Sequence, residues 1–301
     1  MRKFIKNNWL FMIIFVALSF FVVLKCTETV NNFSKLNENR EQIINFCQEN
    51  MNSGTSDYDE YCTKILEEKN IKVDFYTVLT DILLYGIHIL NGVAFLILIV
   101  PTLYGLNKVL KEKVLIHLLV RMSYKDFLIK FFKKAYRYVW ILPFIAILVL
   151  GFSSINTTFD PAYSILYGTS KWTTSLIYNP IIFCTLYILN ICMYSFIFVN
   201  IALLVLRKNQ RYILAILYSF ITYVGIELFF EVVVNSLLFQ LLLKSDIGYV
   251  YNIMNLFTFS DMNGIITLMI FTFIMFMLSF IAVYFTYRNK EKLIIDCEKN
   301  S

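Results

Sequence analysis

The sequence predicts an all-α polytopic membrane protein: six transmembrane helices in a single domain over 1–301, both termini cytoplasmic, and an amphipathic helix between spans two and three. Three observations carry this prediction. Of 301 residues, 58% are hydrophobic, 17% aromatic and only 16% charged, against about 25% charged in soluble chains, and mean hydropathy is +0.65. The charged residues are clustered, leaving uncharged runs from Asn7 to Leu24, Ile82 to Asn107, Tyr138 to Phe159, Trp172 to Leu206 and Met262 to Tyr287. About 20 apolar residues cross a hydrocarbon core as helix. Finally, Lys and Arg concentrate on alternate loops.

Span one covers 8–25. Arg2, Lys3 and Lys6 precede it as in a signal peptide, but Lys25 stands where a cleavage site needs a small residue, so it reads as a retained helix. Residues 26–78 form an extracytoplasmic segment, helical in parts, with ten acidic residues from Glu28 to Asp74. It is too small to bury a large core alone and suits packing on the membrane surface or a second chain. It holds Cys26, Cys47 and Cys62; a Cys47–Cys62 disulfide is possible, with one cysteine left over. Span two covers 79–105 and leads into the loop 107–137. Span three covers 138–156, span four 177–206 and span six 263–287. Span five, 212–234, is apolar apart from Glu227 and Glu231. Two short apolar pieces within 236–260 suit a re-entrant segment dipping into the outer leaflet.

With both ends inside, the inner segments hold 19 of the 27 Lys and Arg, nine of them between 106 and 138. The net charge of +6 is mostly an inner-face property, pointing to anionic membrane lipid or an acidic partner surface rather than nucleic acid.

The inner loop is the most informative stretch. Ser123 and Asp126 fit S-x-x-D, in which the hydroxyl accepts from an orphan backbone N–H and the carboxylate favours the positive helix end. From there Tyr124, Phe127, Leu128, Phe131, Phe132, Ala135, Tyr136 and Val139 form one apolar face, and Lys125, Lys130, Lys133, Lys134 and Arg137 fill the remainder. The pattern predicts an interfacial helix lying in the inner headgroup layer before span three.

Six spans with both ends inside, a sizeable outer segment after the first, a tight inner turn before the fifth and the inner-loop run Arg121, Ser123, Phe127, Lys130 resemble ABC type-2 permeases, the bacterial membrane subunits of ATP-binding-cassette exporters. The resemblance is architectural, covers essentially the whole chain and has one loosely matching motif. It implies a coupling helix in the loop after span two that docks in a groove of a cytoplasmic ABC ATPase. Residues 109–125 would supply that surface, with Arg121 and Lys125 as charged contacts and the helix from Ser123 passing displacement to span three. It also implies a second permease copy or a related permease. The outer segment 26–78 is longer than in compact members. The chain's nine glycines are all isolated, so no G-x-x-x-x-G-K-[ST] loop cradles phosphates. No cofactor is expected on this chain, which reads as the non-enzymatic subunit, ATP and Mg belonging to the partner ATPase.

Glu227 and Glu231 sit four residues apart, on one face of span five. A helix rising 1.5 Å per residue from Tyr212 puts them about 22 and 28 Å up, in the outer half. An ionised carboxylate is costly there unless it faces water or protein, and a polar patch along a transport path is one use for the pair. Asn190 and Asn200 in span four read as interhelical hydrogen-bond partners, and His88 as a packing residue. Three alternatives stand beside a permease. A proton-coupled secondary transporter could use Glu227 and Glu231, but no inverted repeat is detectable. A non-transporting immunity or sensor subunit fits the same topology. An intramembrane enzyme lacks H-E-x-x-H and any intramembrane Glu-Glu.

Overall fold

The computed structural model describes residues 9–50, 62, 72–110, 112–167, 175–242, 244 and 265–299. It is all-helical: no strand occurs among the described residues, which hold one isolated bridge, Asp74 with Thr158. The helices are α1 (Trp9–Asn50), α2 (Phe75–Asp81), α3 (His88–Leu110), α4 (Glu112–Arg121), α5 (Tyr124–Ala135), α6 (Ile141–Ser153), α7 (Ala162–Tyr167), α8 (Pro180–Lys208), α9 (Tyr212–Leu228), α10 (Ile265–Tyr287) and α11 (Lys290–Lys299). Five helical runs among the described residues are long and apolar enough to cross a membrane: Gly92–Leu110, Tyr124–Ser153, Pro180–Lys208, Tyr212–Val234 and Leu268–Tyr287. These long apolar helices mark a membrane protein, and each overlaps part of an expected span from two to six.

Helix α1 contains expected span one, yet does not stop there. It runs unbroken for 42 residues, about 63 Å at 1.5 Å per residue, roughly twice the hydrocarbon thickness. Its polar half therefore extends the helix instead of folding into separate pieces.

Expected span two is interrupted. α2 passes into a π-helical turn, Ile82–Gly86, closed by the Ile87 N–H donating to the Ile82 carbonyl at 2.8 Å. Ile87 itself adopts φ −125°, ψ 18°, so the helical path restarts as α3. A widened turn, not proline, makes this break.

The described residues gather into two compact units. One comprises 20–88 and 147–184. Its organising residue is Asp74, fully buried and the N-cap of α2. One carboxylate oxygen accepts from the Thr77 N–H at 2.7 Å. The other accepts from the Ser164 N–H at 2.8 Å and from the Ser164 hydroxyl. The neighbouring Phe75 N–H donates to the Thr158 carbonyl at 2.8 Å, and the Phe75 ring lies 5.2 Å from Phe159. The loop after α6 and the helix α7 are thus tied to the start of α2. Asn156, at φ 56°, makes the reversal after α6, in a conformation asparagine tolerates better than most residues. Arg40 of α1 lies 5.9 Å above the Tyr163 ring. Burial pushes the Tyr163 phenol above its ordinary range, with the Arg40 charge pulling the other way. Cys47 and Cys62 form a disulfide with Cα atoms 5.2 Å apart, and Cys26 is a buried free thiol.

The second unit comprises 1–19, 89–146 and 185–301. Its core is aromatic. Tyr223 of α9 stacks on Phe95 of α3 at 4.5 Å and meets Phe198 of α8 edge-on at 5.4 Å. Aromatic pairs of this kind contribute about 0.5–1.5 kcal/mol each beyond the area they bury. Past α9 the helix continues as a π-helical stretch, Phe229–Leu242. Residues 236–242 of the expected re-entrant segment therefore prolong the span five helix, and 245–260 lie outside the described residues.

Candidate functional site

Two places in the second unit bear on function: the α4–α5 hairpin and the buried end of α9. In the hairpin, Ser123 caps α5 as the sequence predicts. Its Oγ accepts from the Asp126 N–H at 3.1 Å and donates to the Asp126 carboxylate at 2.7 Å. The Oγ thereby satisfies an orphan N–H of the first turn, and the carboxylate holds the hydroxyl in place. We expect Ser123→Ala to cost about 1 kcal/mol and to lower the thermal midpoint of the purified protein by a few degrees, with Ser123→Thr holding the wild-type value.

The five residues singled out in the loop, Arg121, Ser123, Lys125, Asp126 and Lys130, are all exposed. Part of the opposite face of α5 is packed on protein, a contact the periodicity alone does not announce. Phe127 and Phe131 are each 2% exposed, because the protein covers them. Tyr287, the last residue of α10, is the hub. Its ring lies 5.4 Å from Phe131 and 5.7 Å from Phe132. Its carbonyl accepts from the Tyr124 hydroxyl, and its own hydroxyl donates to the Leu203 carbonyl of α8 at 2.8 Å. At the residue that follows α5, the Tyr136 hydroxyl donates to Asn200 Oδ1 at 2.7 Å, and Asn200 Nδ2 donates to the Ser279 hydroxyl of α10 at 2.9 Å. Asn200 is thus the interhelical partner its position predicts.

Lys134 donates to the Gly105 carbonyl at the end of α3, at 2.8 Å. A Cβ on Gly105 would meet Lys134 Cε at 3.0 Å, so the glycine lets the lysine cross closely. A charged helix face is thereby held on α3, α8 and α10 together. The preceding helix α4 buries Leu115 fully and leaves Ile116 40% and Val120 81% exposed, beside Arg121.

At the other place, α9 buries one residue per turn: Ala215, Ser219, Tyr223 and Glu227. The two small residues allow close approach to neighbouring helices. The stripe ends in a carboxylate that is 6% exposed. Glu227 lies one turn beyond Tyr223 on α9, and Tyr194 of α8 and Tyr223 are both buried. Asn190, one turn from Tyr194 on α8, is 1% exposed, and its Oδ1 receives no hydrogen bond among the described residues.

The sequence places Glu231 beside Glu227, but the two occupy different environments: Glu231 is exposed. The stripe that α9 buries ends at Glu227, and π-helical winding begins at Phe229. Periodicity flagged neither Tyr194 nor Tyr223. The i, i+4 step from Tyr223 to Glu227 was the available signal. The His88 side chain lies outside the described residues.

No family model, curated protein or solved structure matches this chain.

Proposed function

We propose that the chain is the membrane permease subunit of an ABC exporter, moving an amphiphilic substrate such as an antimicrobial peptide or a lipid-like molecule across a bacterial plasma membrane. ATP would be hydrolysed by a separate cytoplasmic ATPase. The observation that carries the reading is the α4–α5 hairpin: an exposed basic and apolar surface whose reverse side is locked by Tyr287 and Asn200 to α8 and α10. A push on Arg121 or Lys125 would be felt by those helices. The chain itself has no phosphate-binding loop. A second permease would cover apolar side chains that α9 leaves exposed, such as Ile213 and Leu217, 76% and 50% exposed.

The test is gentle solubilisation from native membranes followed by affinity capture of this chain. An ATP-binding-cassette ATPase is expected in the eluate. Arg121→Glu should remove it while leaving the permease inserted. Capture of the permease with no nucleotide-binding protein would overturn the proposal.

A second reading is a proton-coupled transporter, favoured by the buried carboxylate of Glu227 on α9. It predicts uptake or efflux that follows an imposed pH gradient in vesicles containing this chain alone.

A further inference from the structure

We propose that the protein holds an anionic phospholipid in a groove at the ends of α8, α9 and α10, flanked by α11. The groove encloses about 710 Å³ and is lined by Arg207, Lys208, Tyr218, Phe285, Lys292 and Asp296, among others. That volume lies within the range of small-molecule sites, about 300–1,000 Å³. The inference does not depend on what the protein transports.

Position fixes the ligand class. Three apolar membrane-crossing runs meet here: one ends at Lys208, one begins at Tyr212 and one ends at Tyr287. The groove therefore sits where the hydrocarbon layer gives way to headgroups. Its lining is mixed in the same way. Tyr218 and Phe285, 43% and 65% exposed, belong to the membrane-crossing stretches, while Arg207, Lys208 and Lys292 line it at or beyond the ends of those stretches with one carboxylate, Asp296, which pairs with Arg207. Three cations against one anion leave a surplus of positive charge over an apolar wall. A phosphodiester headgroup with its acyl chains matches both halves.

Arg207 supplies the second observation. It is 5% exposed, and its Nε donates to Asp296 Oδ2 at 2.7 Å. Its Nη2 is buried with no hydrogen-bond acceptor among the described residues. A guanidinium presents its donors as a planar fork suited to phosphate oxygens. Asp296 takes one prong and leaves another for the ligand.

Native mass spectrometry of the full chain in mild detergent tests this with three probes: phosphatidylglycerol, phosphatidylcholine of the same acyl chains, and inorganic phosphate. We expect one tightly retained phosphatidylglycerol per chain, a higher unfolding temperature in its presence, weak retention of phosphatidylcholine and no displacement by phosphate. Lys208 and Lys292 are exposed, so Lys208→Gln with Lys292→Gln leaves the fold intact. Each surface cation near anionic lipid is worth about fivefold in affinity, and the pair should weaken phosphatidylglycerol retention about thirtyfold. Unchanged retention in the double variant, or equal retention of the two lipids, overturns the site. Displacement by phosphate also overturns it, leaving a free-anion site with no lipid.

Discussion

Replacing Asp74 by alanine should lower the stability of the purified protein by about 3–5 kcal/mol, more than most single substitutions achieve. The carboxylate is fully buried and accepts from the Thr77 N–H, the Ser164 N–H and the Ser164 hydroxyl. Alanine removes the acceptor and leaves three donors in place. A buried donor deprived of its partner costs about 1–3 kcal/mol, and bonds to a charged acceptor lie at the upper end of that range. Truncating the other partner has a smaller effect. Ser164→Ala deletes one hydroxyl, while the Ser164 N–H still reaches the carboxylate, so a loss of about 1 kcal/mol is expected. Since the two residues share one network, the double variant should cost less than the separate losses combined. Thermal unfolding in detergent measures all three. Glu28→Ala provides the control, because its ion pair with Lys25 is on the surface and such pairs contribute about 0–1 kcal/mol. If Asp74→Ala melts with the Glu28→Ala protein, Asp74 does not hold the loop and α7 to α2.

How much of this was legible in the sequence depends on the range of each interaction. The Ser123 cap joins residues three apart, and the S-x-x-D spacing displayed it directly. The apolar face of α5 was equally plain, but what covers it was not. Tyr287 lies 163 residues from Tyr124, and no local pattern joins them, so the protein contact on part of that face was not visible. Asp74 could have been flagged as a cap, since it precedes an apolar run. Its bond to Ser164, 90 residues away, belongs to tertiary structure. The Cys47–Cys62 pairing remained one choice among three cysteines, because spacing alone carries no geometry. Both π-helical stretches escaped notice for a different reason. Face assignments assume 3.6 residues per turn, and nothing in Ile82–Gly86 or Phe229–Leu242 announces a wider one. That assumption drew span two as a single helix.

The separation of Glu227 and Glu231 gives the largest functional effect we expect. Glu227 is buried at the end of the stripe that α9 turns inward, whereas Glu231 is exposed. Burying a carboxylate within a membrane-crossing helix is costly, and such residues are characteristically found where a substrate, ion or proton passes. The π-helical winding that begins two residues later is a feature concentrated at functional sites. Glu227→Gln preserves size and one carbonyl oxygen and removes the charge. A hydrogen bond to a charged group is worth about 1.5–3 kcal/mol, so transport should fall by about ten- to a hundredfold. Glu231→Gln should transport at the wild-type rate. Uptake of labelled amphiphilic peptides into inside-out vesicles measures this, with the unfolding temperature of each variant recorded in parallel. An intact unfolding temperature with lost uptake in Glu227→Gln identifies the carboxylate as part of the path. Wild-type uptake in that variant would make Glu227 a packing residue whose charge is incidental. Equal losses at both positions would mean that the exposed carboxylate serves the substrate as well, and that burial is not what selects Glu227.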